Sequence, residues 1–300
     1  MCYDAQWQVQ SQAHDGDRNA VTRRLGTVST KFWRADDLGS AELLRGRFCD
    51  YSYNVHTHEK ACFALITRGA IRTRTRGIEA VARAGDVYAI NADEPHSGWP
   101  VDGAGWSLRT LYVDIGHLLA LVSDRASECR SLPALVGPII RDPHLASLLR
   151  CVHSCSEVAG PSLKREERYC EFITRLFERY TRGASPEKPA TREDRAIRLA
   201  RDFLDHHLDQ QVRLADIAEA AGLPPFRLFR SFEKAAGMSP HRYHRQARVR
   251  CAARLIRLGH ALSDAASAAG FADQAHMTRS FRSTIGVTPG AYKDAYLRHK

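Results

Sequence analysis

The sequence predicts two unlike domains: an N-terminal antiparallel β-sandwich or barrel covered by helices, and a C-terminal all-α domain carrying two helix-turn-helix units. Three observations predict it. Residues 43–113 hold short β-forming runs separated by turns. Toward residue 180 the apolar period becomes helical. Beyond residue 191 one pattern occurs twice at a nearly constant offset.

The β-like runs come first. Cys62-Phe63-Ala64-Leu65-Ile66 ends at Gly69, and Ile71 to Gly77 alternates before turning. Gly85 to Ile90 follows, then a turn over Asn91 to Pro95, then Trp106 to Tyr112. Strand period puts Arg72, Arg74 and Arg76 on one face and Ile71, Thr73 and Thr75 on the other; the arginine face reads as solvated. Helices are expected over His144 to Val158 and around Tyr169, Phe172, Ile173, Leu176, Phe177 and Tyr180. They would cover the open face of the sheet, and one could also supply a homodimer surface. The segment from Arg182 to Arg192, rich in Pro, Gly, Ser and charge, is the expected linker. The expected boundaries are 1–181, 182–192 and 193–300.

The repeat is the most informative feature. Arg230, Phe232, Gly237 and Pro240 recur as Arg279, Phe281, Gly286 and Pro289 at an offset of 49, and Gly222 recurs as Gly270 at 48. Each unit reads as a short helix, a glycine turn and a second helix. Leu214, Ile217, Ala218 and Ala221 share one side of the first short helix, and Gly222 suits a left-handed turn. Pro224 opens the next helix without a side-chain cap, whereas Asp273 is a natural N-cap in the second unit. Leu228 and Phe232, like Met277 and Phe281, fall at i,i+4 and should face inward. That leaves Phe226, Arg227 and Arg230 outward in one helix, and Gln274, Ala275, Thr278 and Arg279 outward in the other. Arg and Gln are bidentate partners of guanine and adenine edges, and Phe or Ala can meet a thymine methyl. A long helix from Pro240 to Leu258 joins the units and carries six arginines, some of which could reach phosphates. If it holds the units about 34 Å apart, both could enter successive major grooves.

Bulk properties agree. A 300-residue chain with 44% hydrophobic residues can fill two cores. Of the net charge of +10, +8 lies from Thr191 onward (19 Lys/Arg against 11 Asp/Glu), which favours a polyanion partner. Eight scattered cysteines without a CxxC pair read as thiols; Cys151 and Cys155 share a helix face. No run approaches about eighteen apolar residues and Met1 to Gln10 lack a signal pattern, so a soluble, cytoplasmic protein with no membrane partner is expected.

Residues 191–300 resemble the double helix-turn-helix domain of the AraC/XylS family of transcription regulators. The matching signatures are Leu228-x-Arg230-x-Phe232, Gly237-Met238-Ser239-Pro240-x-x-Tyr243, Arg248 and Ala252, then Ala269-Gly270-Phe271, Arg279-x-Phe281, Gly286-x-Thr288-Pro289 and Tyr292. The resemblance implies base reading by Phe226, Phe229 and Arg230 and by Gln274, Ala275, Thr278 and Arg279. The chain departs from the family at Pro224-Pro225, where a Ser cap is common, and at Ala265 to Ala268, where an Ile-rich helix is common.

Residues from about 20 to 180 resemble the cupin-like effector domain and dimerisation helices of the same family, through His56-x-His58-Glu59, Gly69, Gly85-Asp86-Val87 and Pro95-His96. Metal-binding cupins use two close histidines, a downstream Glu and a later His. Here Cys62 or Phe63 stands where the Glu is expected. His56, His58, Cys62 and His96 are therefore metal candidates, zinc-suited if Cys62 is a thiolate. The preferred expectation is a small-molecule effector contacting His56, His58, Phe63, His96 and Trp106, without cofactor. The resulting reading is a non-enzymatic regulator that binds promoter DNA, with RNA polymerase as a partner if it activates. The alternatives are an effector-independent regulator, a nonspecific architectural DNA binder, and a metal-dependent cupin enzyme with a DNA-binding appendage.

Overall fold

The computed structural model describes residues 28–49, 51–103, 105–123, 134–135, 137–158, 162–182 and 191–297. Most of the expected linker lies outside the described residues.

Among the described residues the N-terminal half is mostly strand, with three α-helices and one 3-10 turn at Asp36–Leu38. Its strands are β1 (Val28–Ala35), β2 (Ala41–Phe48), β3 (Tyr53–His56), β4 (Ala61–Thr75), β5 (Ile78–Arg83), β6 (Val87–Ile90), β7 (His96–Pro100), β8 (Trp106–Val113), β9 (Ala134–Leu135), β10 (Ile139–Ile140) and β11 (Thr181–Arg182). Its helices are α1 (Ile115–Ser123), α2 (Pro143–Ser156) and α3 (Leu163–Tyr180). One sheet runs β1-β2-β8-β4-β6-β10, and the far half of β4 pairs instead with β5 and β7, with β3 beside β7.

Strand alternation sorts the side chains into two interiors. Ala61, Phe63 and Leu65 of β4, with Leu111 and Val113 of β8, face α2 and α3, and Phe63 meets Phe172 edge-on at 5.6 Å. Cys62, Ala64 and Ile66 face the opposite way with Leu108. This corrects two expectations. Phe63 belongs to the helix-facing core, because residue parity puts it opposite Cys62. The run expected to end at Gly69 continues to Thr75 as one strand. Between Ile66 and Arg68 the register shifts, so parity flips and Ile71, Thr73 and Thr75 become the buried set. Gly69 makes the bend: its φ is +69°, and a Cβ there would lie 2.1 Å from the Gly105 carbonyl oxygen. Arg74 and Arg76 are exposed, as expected, and pair with Glu79 and Glu94.

Helices α2 and α3 form where the helical period was read. Asp142 caps α2, accepting from His144 and Leu145 N–H at 2.9 and 3.1 Å, and also takes the Arg175 guanidinium of α3 at 2.7 Å. These hydrogen bonds hold its carboxyl far below the ordinary carboxylate range, against the opposing effect of its burial. Its stabilising charge thus persists into acid.

The C-terminal half is all helix: α4 (Arg192–His206), α5 (Leu214–Ala221), α6 (Pro225–Ala236), α7 (Pro240–Arg257), α8 (Leu262–Ala268), α9 (Gln274–Ile285) and α10 (Pro289–Leu297). Thr191 and Asp194 form a capping box on α4. Leu228, Phe232, Met277 and Phe281 are each fully buried, as their spacing requires.

The halves are docked through β3 and its flanks. Gln246 of α7, itself buried, donates from Nε2 to the Val55 carbonyl at 2.8 Å and accepts from the Thr57 N–H at 3.1 Å. Val55 packs on the core of the first helix-turn-helix unit, while the Tyr53 hydroxyl lies against Gly286 of the second. Pro95 sits against Gly237, where a Cβ would come within 2.7 Å. Nearby, the Tyr296 hydroxyl donates to the Glu42 carboxylate, which also pairs with Lys60 at 2.8 Å, and Phe32 stacks on Tyr292 at 5.1 Å.

Candidate nucleic-acid interface and buried cavity

The two helix-turn-helix units are built as their sequences imply. Gly222 ends α5 in the left-handed region (φ +61°), and its N–H caps the helix. Pro224 precedes α6 with no side-chain cap, while Asp273 caps α9 through the His276 N–H at 2.5 Å. The matching glycine, Gly270, is more constrained than Gly222. A Cβ at Gly270 would lie 2.0 Å from the Leu208 carbonyl oxygen, whereas Gly222 faces open space.

On α6, Phe226, Arg227 and Arg230 are exposed; the Arg230 guanidinium lies over the Phe226 ring at 5.9 Å, and Phe226 is 74% exposed. Phe229 is half-buried and lines a pocket shared with Pro240 and His244. On α9, Gln274, Ala275 and Arg279 are exposed, and Thr278 is half-buried with its hydroxyl donating to the Gln274 carbonyl at 2.8 Å. None of these faces lies under the β domain, which meets the C-terminal end of α9 instead: Tyr51 donates to the Arg282 carbonyl at 3.1 Å.

The arginines of α7 divide. Arg250 turns to Asp205 (3.2 Å) and Glu59 (3.8 Å), Arg257 donates to the Tyr292 hydroxyl (3.2 Å), and Arg248 donates to the Gln210 carbonyl (3.0 Å). Arg245 and Arg254 remain exposed.

The second site is a cavity of about 50 Å³ inside the β domain, walled by Leu44, Ile66, Ile71, Tyr88, Leu108 and Tyr112, with His56, His58 and His96 at one end. His56 and His96 are directly paired across β3 and β7, with rings 4.2 Å apart; His58, two residues on, lies 4.6 Å from His96. One ring nitrogen from each converges with the others within 4.8 Å, a set able to accept a metal ion. Burial lowers the His56 and His58 pKa values to about 4 and that of His96 well below its ordinary value. All three are therefore neutral near pH 7.

Three expected site residues need correction. Cys62 lines the cavity but is outside the converging group, because β4 carries it in the other sheet; burial pushes its thiol well up, so it is a neutral wall. Phe63 faces the helices. Trp106 is fully buried against Phe48 at 5.1 Å and does not line the cavity. Tyr88, Thr110 and Tyr112 also line the cavity, and the alternation of 108, 110 and 112 opposite 62, 64 and 66 is the sequence signal for the last two.

A cleft of about 90 Å³ lies between the two halves, lined by Phe32, Lys60, Arg250, Arg257 and Tyr292. His58 and Tyr112 line both it and the cavity, so they form the shared wall. Among the described residues no helix is long and apolar enough to cross a membrane.

Comparison with known proteins yields two family matches: a helix-turn-helix domain over residues 217–295 and an AraC-like ligand binding domain over 38–173. The HTH-type transcriptional regulator YbfI of Bacillus subtilis is 25% identical over 225 residues, 74% of this chain and 80% of that protein. The transcriptional activator NphR of a Rhodococcus species is 36% identical over 91 residues, 30% of this chain and 27% of NphR. ToxT of Vibrio cholerae superposes over 90% of this chain and 98% of its own, with a TM-score of 0.51 at 13% identity; its unsaturated fatty acid-bound form gives 0.50. At that identity the likeness concerns the fold. The two domain matches, in their expected order, show a sequence-specific DNA-binding transcription regulator of AraC/XylS type, with an N-terminal ligand-binding domain and a C-terminal helix-turn-helix domain.

Proposed function

We propose that α6 and α9 enter successive major grooves of promoter DNA, and that a ligand in the β domain controls how they do so. The carrying observation is the pair of solvent-exposed helix faces, each on a buried i,i+4 apolar pair in a duplicated unit. Arg227, Arg230, Gln274 and Arg279 are the base-edge readers, with Phe226, Phe229, Ala275 and Thr278 supplying apolar or shape contacts. Arg245 and Arg254 are placed for phosphates, which fix position without reading sequence. The domains run 1–181 and 193–300 across a linker at 182–192, the β half being a cupin-like barrel.

The effector occupies the cavity and the adjoining cleft, touching His56, His58 and His96 on one side. The cleft sets Lys60, Arg250 and Arg257 against Glu42, Glu59 and aromatic surface, and Lys60 and Arg250 are paired to those two carboxylates; one cation in excess beside aromatic rings favours an amphipathic carboxylic acid, and ToxT has been solved with an unsaturated fatty acid and with a naphthalenyl butenoic acid. A homodimer through the α2 and α3 region, where Val158 beyond the end of α2 and Leu163 at the start of α3 are strongly exposed, would pair two reading domains, and RNA polymerase would be the partner in activation.

The test is selection of duplexes by the full chain, followed by affinities for the selected and a random duplex at one salt concentration. A preference of about 1000-fold or more supports the reading. Equal affinity for both would make the protein a nonspecific binder.

A further inference from the structure

The three cavity histidines share a feature that a merely buried cluster does not require. Each Nδ1 is hydrogen-bonded to a main-chain carbonyl two residues away: His56 to Asn54 at 2.7 Å, His58 to Lys60 at 2.9 Å, and His96 to Glu94 at 2.8 Å. A carbonyl oxygen only accepts, so each Nδ1 carries the ring proton. Each Nε2 is thereby left with a bare lone pair. Among the described residues no protein hydrogen bond is recorded to any of the three Nε2 atoms. One ring nitrogen of each histidine lies within 4.8 Å of the others, and with every Nδ1 engaged the Nε2 atoms are the ones free to serve as ligands.

Such nitrogens can take a Lewis acid, or a donor such as water, from the cavity that the three histidines line. Proteins orient metal-binding imidazoles in this way, with the second ring nitrogen tied to a carbonyl. The backbone performs the tying at all three positions, so the orientation needs no other side chain. Among the described residues no carboxylate or thiolate joins the group, and Cys62 stands apart from it.

We propose that His56, His58 and His96 bind one divalent transition-metal ion of the zinc class through their Nε2 atoms, leaving a coordination position open to the cavity. Three neutral imidazoles match the borderline ions, zinc, cobalt, nickel and copper, and disfavour magnesium and calcium, which prefer oxygen ligands. The cavity's roughly 50 Å³ accommodates the ion and a water or small anion in the open position. The metal would thus stand at the inner end of the effector site. The proposal does not depend on the identity of the effector or on DNA reading.

The test uses the full chain without a histidine tag, titrated with Co(II) and followed by its visible absorption, then displaced with Zn(II). One equivalent should bind, with the intense bands of a four- or five-coordinate site, and Mg(II) should not compete. His56→Ala and His96→Ala should each weaken Co(II) binding by about 100-fold or more. His58→Asn, at a half-buried position, gives a third reading should either alanine variant misfold. His144→Ala, on the α2 surface, should bind as the parent does, and Cys151→Ser removes any contribution from the Cys151–Cys155 pair, whose sulfurs are 3.9 Å apart. Binding below about 0.1 equivalent, or binding indifferent to the three histidine substitutions, would overturn the proposal. Affinity for the selected duplex is measured on the same samples. Duplex selectivity without metal binding removes the metal site alone, and metal binding without selectivity removes only the DNA reading proposed above.

Discussion

Gln246→Met isolates the docking of the two halves. The substitution keeps the side-chain volume but removes both interdomain hydrogen bonds, to the Val55 carbonyl and from the Thr57 N–H. Each bond contributes about 1 kcal/mol net, and each backbone group left buried without a partner costs about 1–3 kcal/mol. Partial hydration at the domain boundary lowers the sum, so about 2–4 kcal/mol of docking energy should vanish. The four tryptophans, at positions 7, 33, 99 and 106, all lie in the N-terminal half, whereas helix is concentrated in the C-terminal half. Urea unfolding followed by tryptophan emission and by far-ultraviolet dichroism therefore watches different halves. In the parent the two transitions should nearly coincide. In the variant they should separate, and at a slope of about 2 kcal/mol per molar urea the less stable half should unfold roughly 1–2 M earlier. If both midpoints stay within about 0.2 M of the parent, the docking contacts carry no appreciable energy and this reasoning fails.

Three further outcomes can be checked. Arg279→Ala should weaken binding to the selected duplex by about 1–3 kcal/mol and relax preference at one base pair; an equal loss on every duplex, seen by fluorescence anisotropy, would make Arg279 a phosphate contact. Asp273→Ala removes the side-chain cap of α9 and should lower stability by about 0.5–2 kcal/mol in chemical denaturation, with no counterpart for Pro224, which makes no side-chain cap. Buried His153, whose Nε2 donates to the Thr110 carbonyl at 2.8 Å, has its pKa lowered to about 3 chiefly by desolvation. Its folded pKa is below its unfolded value of about 6.5, so the unfolded chain binds the extra proton. The associated stability is whole above pH 6.5 and should fall by about 1.4 kcal/mol per unit as pH drops toward 3. His153→Gln should flatten that part of the stability curve, and parallel curves for the two proteins would contradict the assignment.

The reading half of the molecule was legible because its signals are local. Caps, turn glycines and i,i+4 apolar pairs each act within about one helical turn, and duplication shows them twice. The β half depends on pairings between distant residues. Gly69 looks like a strand terminator, but close contact with Gly105 makes it a bend inside β4. Alternation separates Cys62 from Phe63, yet only the position of Phe172 shows which of them faces the helices. His56 and His96 were recognisable as a pair from their motifs, and β3–β7 pairing brings them together. The carbonyls that orient their rings carry no residue-type signal at all. Gln246 was equally silent, since its partners are main-chain atoms of the other domain.

Strand β3 touches both reading units, through Val55 on one side and Tyr53 on the other, while α7 holds it between them. It therefore acts as a fulcrum with long arms. If the reading helices are about 34 Å apart, one turn of B-DNA, each arm is about 17 Å, and a relative rotation of about 12° at this point moves one of them by about 3.4 Å. That displacement is one base-pair step. A ligand that rearranges the His56 end of β3 by less than an ångström could thus change which half-site spacing the protein accepts while leaving every base contact within each half-site intact.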